Sequence, residues 1–93
     1  MGITEAPLQE WACDQAEAAG WLHRKVKWVG RRNAPDDVFA KDGRTVWIEF
    51  KRPGGQPRPG QVREIDRMKG AGMEVHVVDN PLIALRILGV AYA

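Results

Sequence analysis

One cysteine, Cys13, is the whole thiol content of the sequence. An internal disulfide is excluded, and so is a cysteine-rich zinc site. Long apolar runs are also missing. The nearest candidate, "PLIALRILGVAYA" at the C-terminal end, is broken by Arg86 and is too short to span a bilayer. The first twenty residues hold no lysine or arginine, so the basic start and apolar centre of a signal peptide are absent. These absences point to a reducing, cytoplasmic setting and away from a membrane. The two histidines, His23 and His76, lie far apart without ligand spacing. That argues against a histidine-type metal centre and for ordinary strand positions. No internal repeat or low-complexity segment occurs.

What is present suits a small globular protein. The chain is 44% hydrophobic and 28% charged, typical of a folded soluble domain. Its 93 residues suit a single domain, residues 1–93, with a modest core, so association with a second copy is a natural supplement. The net charge of +2 conceals a division. Residues 1–20 carry four acids, Glu5, Glu10, Asp14 and Glu17, whereas residues 21–69 carry 13 of the 14 basic residues against six acids. A basic block beside an acidic one is the footprint of a polyanion binder, although many basic surfaces are merely solvated.

The pattern of turns and periodicities gives the order α-β-β-β-α-β-α. "APLQEWACDQAEAAG" reads as a first helix with Pro7 in its opening turn and Gly20 as its stop. "WLHRKVKWVG" alternates imperfectly, with Leu22, Arg24, Val26 and Trp28 on one face. "DDVFAKDGRTVWIEFK" reads as a hairpin with strands near 37–40 and 44–51 around the turn "KDG". "RPGGQPRPG" is a loop. "QVREIDRMKGAG" follows as a helix with Val62, Ile65 and Met68 at helical spacing. "MEVHVVD" is a short buried strand, and "NPLIALRIL" opens a last helix with Asn80 as cap and Pro81 at its first position.

The stretch "VWIEFKRPGG" carries the chemistry. Side chains alternate across a strand, so Val46, Ile48 and Phe50 face one way and Trp47, Glu49 and Lys51 the other. Glu49 and Lys51 then stand about 6.5–7 Å apart on one face. Asp36, after Pro35, opens the partner strand. Two acids on neighbouring strands with a lysine beside them suit a hard divalent cation, which takes oxygen ligands completed by water and phosphate. Such an ion acidifies water and neutralises charge on a phosphodiester, and Lys51 would steady the same charge. Taken singly, Pro-Asp and Glu-x-Lys are more often structural than catalytic. Their combination in a basic surround points to a metal-dependent nuclease.

From about Gly20 to Asn80 the sequence resembles a VRR-NUC domain, a branch of the PD-(D/E)XK nuclease superfamily. The pattern is an Asp after Pro (Asp36), a Glu-x-Lys after a Gly-Arg turn (Glu49, Lys51), a Lys/Arg-x-Gly (Arg52-Pro53-Gly54) and a Gln opening a helix (Gln61). The resemblance implies a restriction-endonuclease-like α/β fold, a mixed central sheet flanked by helices. It also implies Mg2+- or Mn2+-dependent hydrolysis of phosphodiester bonds, with small members acting as homodimers on branched DNA such as four-way junctions. Asp36 and Glu49 would hold the metal, assisted by a first-helix acid, Glu10 or alternatively Glu5. Lys51 and Gln61 would serve the attacking water and the scissile phosphate. The sequence departs from the pattern twice. Asn33-Ala34-Pro35-Asp36 replaces Gly-x-Pro-Asp, where Asn can adopt a left-handed backbone as glycine does, and Asp37 stands where an apolar or basic residue is usual.

Arg31, Arg32, Arg52 and Arg58 are the candidate DNA contacts. Trp11 and Trp21 are expected to pack the first helix, and Trp47 to line the cleft beside Glu49. The apolar last helix (Leu82, Ile83, Leu85, Ile87, Leu88) is the expected dimer surface. The competing readings are a catalytically silent DNA-binding module, or a subunit that works only within a larger repair or restriction complex.

Overall fold

In the computed structural model, which describes residues 5–92 and their side chains from residue 7 onward, seven elements follow the expected order. They are α1 (Glu5–Ala18), β1 (Leu22–Lys25), β2 (Asp37–Lys41), β3 (Arg44–Phe50), α2 (Pro59–Gly70), β4 (Glu74–Val78) and α3 (Pro81–Leu88). The strands form one mixed sheet in the order β1-β2-β3-β4, antiparallel except for the parallel β3–β4 pair. A parallel neighbour requires a crossover, and α2 supplies it. Among the described residues, no helix is long and apolar enough to cross a membrane.

The hairpin at the centre is set by its turn. Lys41 pairs with Arg44, leaving Asp42 and Gly43 between them with φ of 50° and 83°. Positive φ at both positions is the two-residue turn whose twist matches that of the strands, and Asp-Gly is its preferred pair. The register that follows sets Asp37 opposite Ile48 and Phe39 opposite Val46.

The even-numbered face of β3 forms the main core. Val46 and Ile48 are fully buried and Phe50 nearly so, packed with Phe39, Val78 and residues of α1 and α3. Truncating Ile48 to alanine would cost about 2–5 kcal/mol. Ala12, Ala16 and Ala84 are all buried in this cluster, and their small side chains let α1 and α3 approach closely. The opposite face carries α2, where Ile65, Met68 and Val75 are buried and Trp28, Trp47 and Met73 pack around them.

All three helices close alike. Gly20, Gly72 and Gly89 have positive φ, and the next residues, Trp21, Met73 and Val90, donate back to Ala16, Met68 and Leu85. This is the Schellman closure, which satisfies carbonyls the helix leaves open. At the start of α3 the Asn80 side chain accepts from Leu82 N at 2.8 Å, as expected of an N-cap before proline.

Three sequence expectations are corrected. The strand after Trp21 spans only four residues, and its inward residue is His23, while Leu22 is 51% exposed. The reason is that Asp37 points into the core side and His23 is the residue positioned to meet it. On α2 the buried row is Gln61, Glu64, Ile65 and Met68, so Val62, expected inside, lies outward at 41% exposed. Asn33 has no left-handed backbone; its side-chain amide lies instead against Gly60, where a Cβ would meet Nδ2 at 2.9 Å.

Arg44 ties the sheet to its surroundings. Its guanidinium donates twice to Glu74 across β3–β4, at 3.0 and 2.7 Å, and once to Ile87 O in α3. It also lies 5.7 Å from the centre of the Trp21 ring. The Arg44 bonds hold the Glu74 carboxyl at about 2, below its usual 4.5. An acid with a depressed pKa stabilises the fold above its unfolded value, and that contribution disappears as pH falls through the folded one. Both groups are part-exposed, so the pair should contribute about 0.5–1 kcal/mol. We expect Glu74→Gln to lower stability by that amount at neutral pH, and the deficit to vanish as pH falls from 4.5 towards 2, measured by urea denaturation.

Candidate active site

The Pro35-Asp36 corner is anchored from two sides. Pro35 is fully buried, and its carbonyl accepts from Trp28 Nε1 at 2.7 Å. The Trp28 ring rests on Trp47, 5.1 Å between centroids, which ties the loop to the α2 side of β3. Beyond the last β1 residue, Val26 N–H donates to Asp36 O at 2.8 Å, extending the pairing of the two strands.

One step beyond the Asp37–Ile48 pair, Asp36 falls opposite Glu49, on the face that carries Trp47 and Lys51. Lys51 Nζ lies 3.4 Å from Glu49 Oε2. The Glu49 side chain is 17% exposed, and burial raises its carboxyl above 4.5; Lys51 and the Gln61 amide pull it back in part, while Asp36 adds to the rise. Gln61 sits in the first turn of α2, 8% exposed. Among the described residues its Oε1 is the buried side-chain polar atom that lacks a hydrogen-bond partner. Asp36, Glu49, Lys51 and Gln61 therefore converge where β2 begins, β3 ends and α2 starts.

The turn after β3 is built for its place. Gly55 N–H donates to Arg52 O at 2.8 Å, and Gly54, with φ of 76°, donates to Asp79 Oδ2 at 3.1 Å. Proline then glycine at the centre of such a turn matches the fixed and the left-handed positions it needs. Arg52 is exposed on this turn, and Arg58 is exposed just before α2. Arg31 and Arg32 are exposed on the loop that docks against Gly60, with Arg31 Nε 3.9 Å from Glu64 Oε2. All four candidate contacts thus flank the start of α2 or the loop beside it.

Glu10 lies apart from that gathering. It is exposed on α1 and lines a cleft of about 320 Å³ with Gln9, Cys13, Glu17, His23, Lys25 and Asp37. The side chain of Glu5, the alternative acid, lies outside the described residues.

Two features escaped sequence reasoning. Lys25 spans the two aspartates, with Nζ 3.7 Å from Asp36 Oδ1 and 3.2 Å from Asp37 Oδ2. Burial opposes the charge on Lys25, but Asp37 and Asp36 outweigh it and raise its pKa. Asp37 itself is 1% exposed and is met by His23 Nε2 at 2.7 Å and Gln9 Nε2 at 2.9 Å. The signal was present in the alternation. Asp37 is in phase with Phe39, so an acid on a core face had to find partners.

The donor set suits a hard divalent cation. Asp36 and Glu49 offer carboxylate oxygens, and the unpartnered Gln61 Oε1 offers a carbonyl, the ligand types favoured by Mg2+ and Mn2+.

No protein-family model matches the sequence. The chain is, however, 32% identical over 79 residues to "Putative nuclease p44" of Acyrthosiphon pisum secondary endosymbiont phage 1, spanning 84% of this chain and 85% of that protein. It also matches a solved VRR-NUC domain with TM-score 0.81 and 31% identity, covering 95% and 97% of the two chains. The chain belongs to the VRR-NUC family of nucleases. The VRR-NUC fold is the restriction-endonuclease-like arrangement expected from "VWIEFKRPGG" and its flanks.

The raised Glu49 carboxyl gives a stability test. Folding favours the protonated form, so stability falls as pH rises above the ordinary 4.5 towards the folded value. In chelator, Glu49→Gln should match the wild type below pH 4.5 and exceed it in urea midpoint at neutral pH. Added Mg2+ or Mn2+ should raise the wild-type midpoint and leave that of the variant unmoved.

Proposed function

We propose that this VRR-NUC chain is a divalent-metal-dependent endonuclease acting on branched DNA such as four-way junctions, as a homodimer. The observation that carries the reading is the convergence of Asp36, Glu49, Lys51 and the orphaned Gln61 carbonyl at one end of the sheet. Asp36 and Glu49 would hold the metal. When bound, Mg2+ or Mn2+ supplies charge neutralisation at the phosphodiester and a lower pKa for water.

The chain's own residues would do the rest. Lys51, held by Glu49, sets a positive charge where charge builds on the scissile phosphate, a placement worth most in a partly dry site. The Gln61 carbonyl accepts a hydrogen bond from water and orients it, since a buried acceptor without a partner gains from one. The open N–H groups in the first turn of α2, a helix with no acid there, favour an adjacent phosphate. Arg31, Arg32, Arg52 and Arg58 engage flanking phosphates, which sets affinity and register rather than base sequence. Glu10 lies within the cleft reached by Lys25 and would complete the charge balance from the α1 side.

The dimer would use the outer side of α1 and α3. Leu8, Leu82, Ile83 and Tyr92 are exposed, and Leu8, Trp11, Pro81 and Leu82 line an apolar groove there. A two-fold pair of sites suits the near symmetry of a four-way junction.

Labelled four-way junctions and linear duplex, incubated with Mg2+ or Mn2+, test the proposal. Junctions should be cut in preference to duplex. Asp36→Asn, Glu49→Gln and Lys51→Ala should each lower the rate on the order of 10²-fold or more. Cleavage by Asp36→Asn at the wild-type rate, or no cleavage of either DNA in either metal, refutes the reading. Sedimentation should give a dimer at micromolar concentration and a monomer for Leu82→Glu; a wild-type monomer removes the paired-site model.

A further inference from the structure

Behind the α1 face of the sheet lies a second polar centre, and the nuclease reading uses neither its Cys13 nor its His23. Three elements meet there: α1 brings Cys13, β1 brings His23 and β2 brings Asp37. One ligand atom from each lies within 4.8 Å of the other two. We propose that Cys13 Sγ, His23 Nε2 and Asp37 Oδ1 form a binding site for a zinc-type transition metal, on the other face of the sheet from the Asp36–Glu49 site and sharing no ligand with it.

The spacing is that of a coordination shell. Cys13 Sγ and His23 Nε2 stand 3.5 Å apart, and donors of these types on one tetrahedral Zn2+ stand roughly 3.5 Å apart. The His23–Asp37 contact of 2.7 Å is a hydrogen-bond length, and it must open by roughly half an ångström for both atoms to share the ion. A thiolate, an imidazole and a carboxylate together select a borderline-soft metal over Mg2+. A shell of three protein ligands leaves a position for water, and the adjoining cleft of about 320 Å³ has room for it.

Outer partners stand close by. His23 Nδ1, the nitrogen left over, lies 3.6 Å from Glu17 Oε1, longer than a hydrogen bond; a small side-chain shift of this half-exposed acid would give the carboxylate–histidine pair that orients a ligating ring. The ring is further held by stacking on Phe39 at 4.7 Å. Asp37 Oδ2 is occupied by Gln9 at 2.9 Å and Lys25 at 3.2 Å, which leaves Oδ1 as the oxygen turned to the site.

A nucleophilic cysteine is the alternative use of these residues, and the geometry disfavours it. Asp37 Oδ1 holds Nε2 at 2.7 Å, whereas Cys13 Sγ stands 3.5 Å from the same nitrogen, so the ring atom nearest the sulfur is already engaged and is not free to take the thiol proton. Burial, helped by Asp37, pushes the thiol up to about 12, which leaves it inert until a cation displaces its proton. Loading a metal sends the thiol proton to solvent, and the proton that Nε2 shares with Asp37 must leave that nitrogen as well, so the metal-bound neutral ring carries its proton on Nδ1.

Cobalt is the probe. The chain has a single cysteine, so any thiolate-to-cobalt charge-transfer band reports Cys13. Reduced, chelator-stripped protein titrated with Co2+ should develop that near-ultraviolet band at one equivalent, and Zn2+ should bleach it. Cys13→Ala should lose the band while keeping its circular dichroism and its Mg2+-dependent activity. Glu17→Gln should keep the band but bind roughly 10–100-fold more weakly. Glu49→Gln should bind Co2+ with the band unchanged, which separates this centre from the nuclease site. Absence of the band in wild-type protein at excess Co2+ overturns the proposal, and so does its loss in Glu49→Gln. The readout needs no DNA, so failure of the nuclease reading leaves it standing.

Discussion

The two-residue turn at Asp42 and Gly43 holds the register on which every polar placement in this protein depends. Because side chains alternate strictly along a strand, slipping β2 by one residue would exchange the faces of Asp36 and Asp37. A slip that brought Asp37 opposite Glu49 would put Asp36 opposite Phe50, on the aliphatic side. Two chemically identical neighbours are thus given opposite surroundings by backbone geometry alone. One carboxylate stays 54% exposed and the other is 1% exposed.

The sheet acts as a partition between two polar centres that share one corner. On the α2 side the acids are short of partners: Glu49 has Lys51, and the Gln61 carbonyl has none among the described residues. On the α1 side Asp37 is fully met by Gln9, His23 and Lys25. The contrast is informative about function. A buried polar group left unsatisfied costs about 1–3 kcal/mol, and a fold keeps such a group where a ligand completes it. Lys25, reaching both aspartates, couples the charge on one face to that on the other.

Much of this was legible from residue order. The Asp-Gly turn, the Asn80-Pro81 helix start and the Gly20 stop of α1 act locally, so their signals survive without knowledge of the partner elements. The face of β3 was also readable, because alternation is a property of the strand itself. The α2 row was not. Val62 and Gln61 are adjacent, and which of them turns inward depends on Glu49 and Asn33 arriving beside the helix. Which face of β1 turns inward was unreadable for the same reason. The apolar Leu22 is outside because the acid at Asp37 requires the imidazole of His23. Asn33 shows a different limit: its side chain fills space beside Gly60, a contact between segments far apart in sequence, whereas its left-handed tendency was a local expectation.

The same dependence explains how so small a core tolerates its charges. Glu49 is destabilised by burial, yet it stands at the end of β3, where the main chain has already passed through the fully buried Val46 and Ile48. The strand is anchored before the acid begins, and the Trp28–Trp47 pair on the same face separates the polar end from the aliphatic contacts of α2. Loosening either anchor would let water reach Glu49 and relieve its strain, at the expense of the alignment with Asp36 and Gln61. The placement of β3 and the perturbed carboxyl are therefore linked: the strand can hold an unfavourable charge in place because Val46 and Ile48 on the face behind it are fully buried.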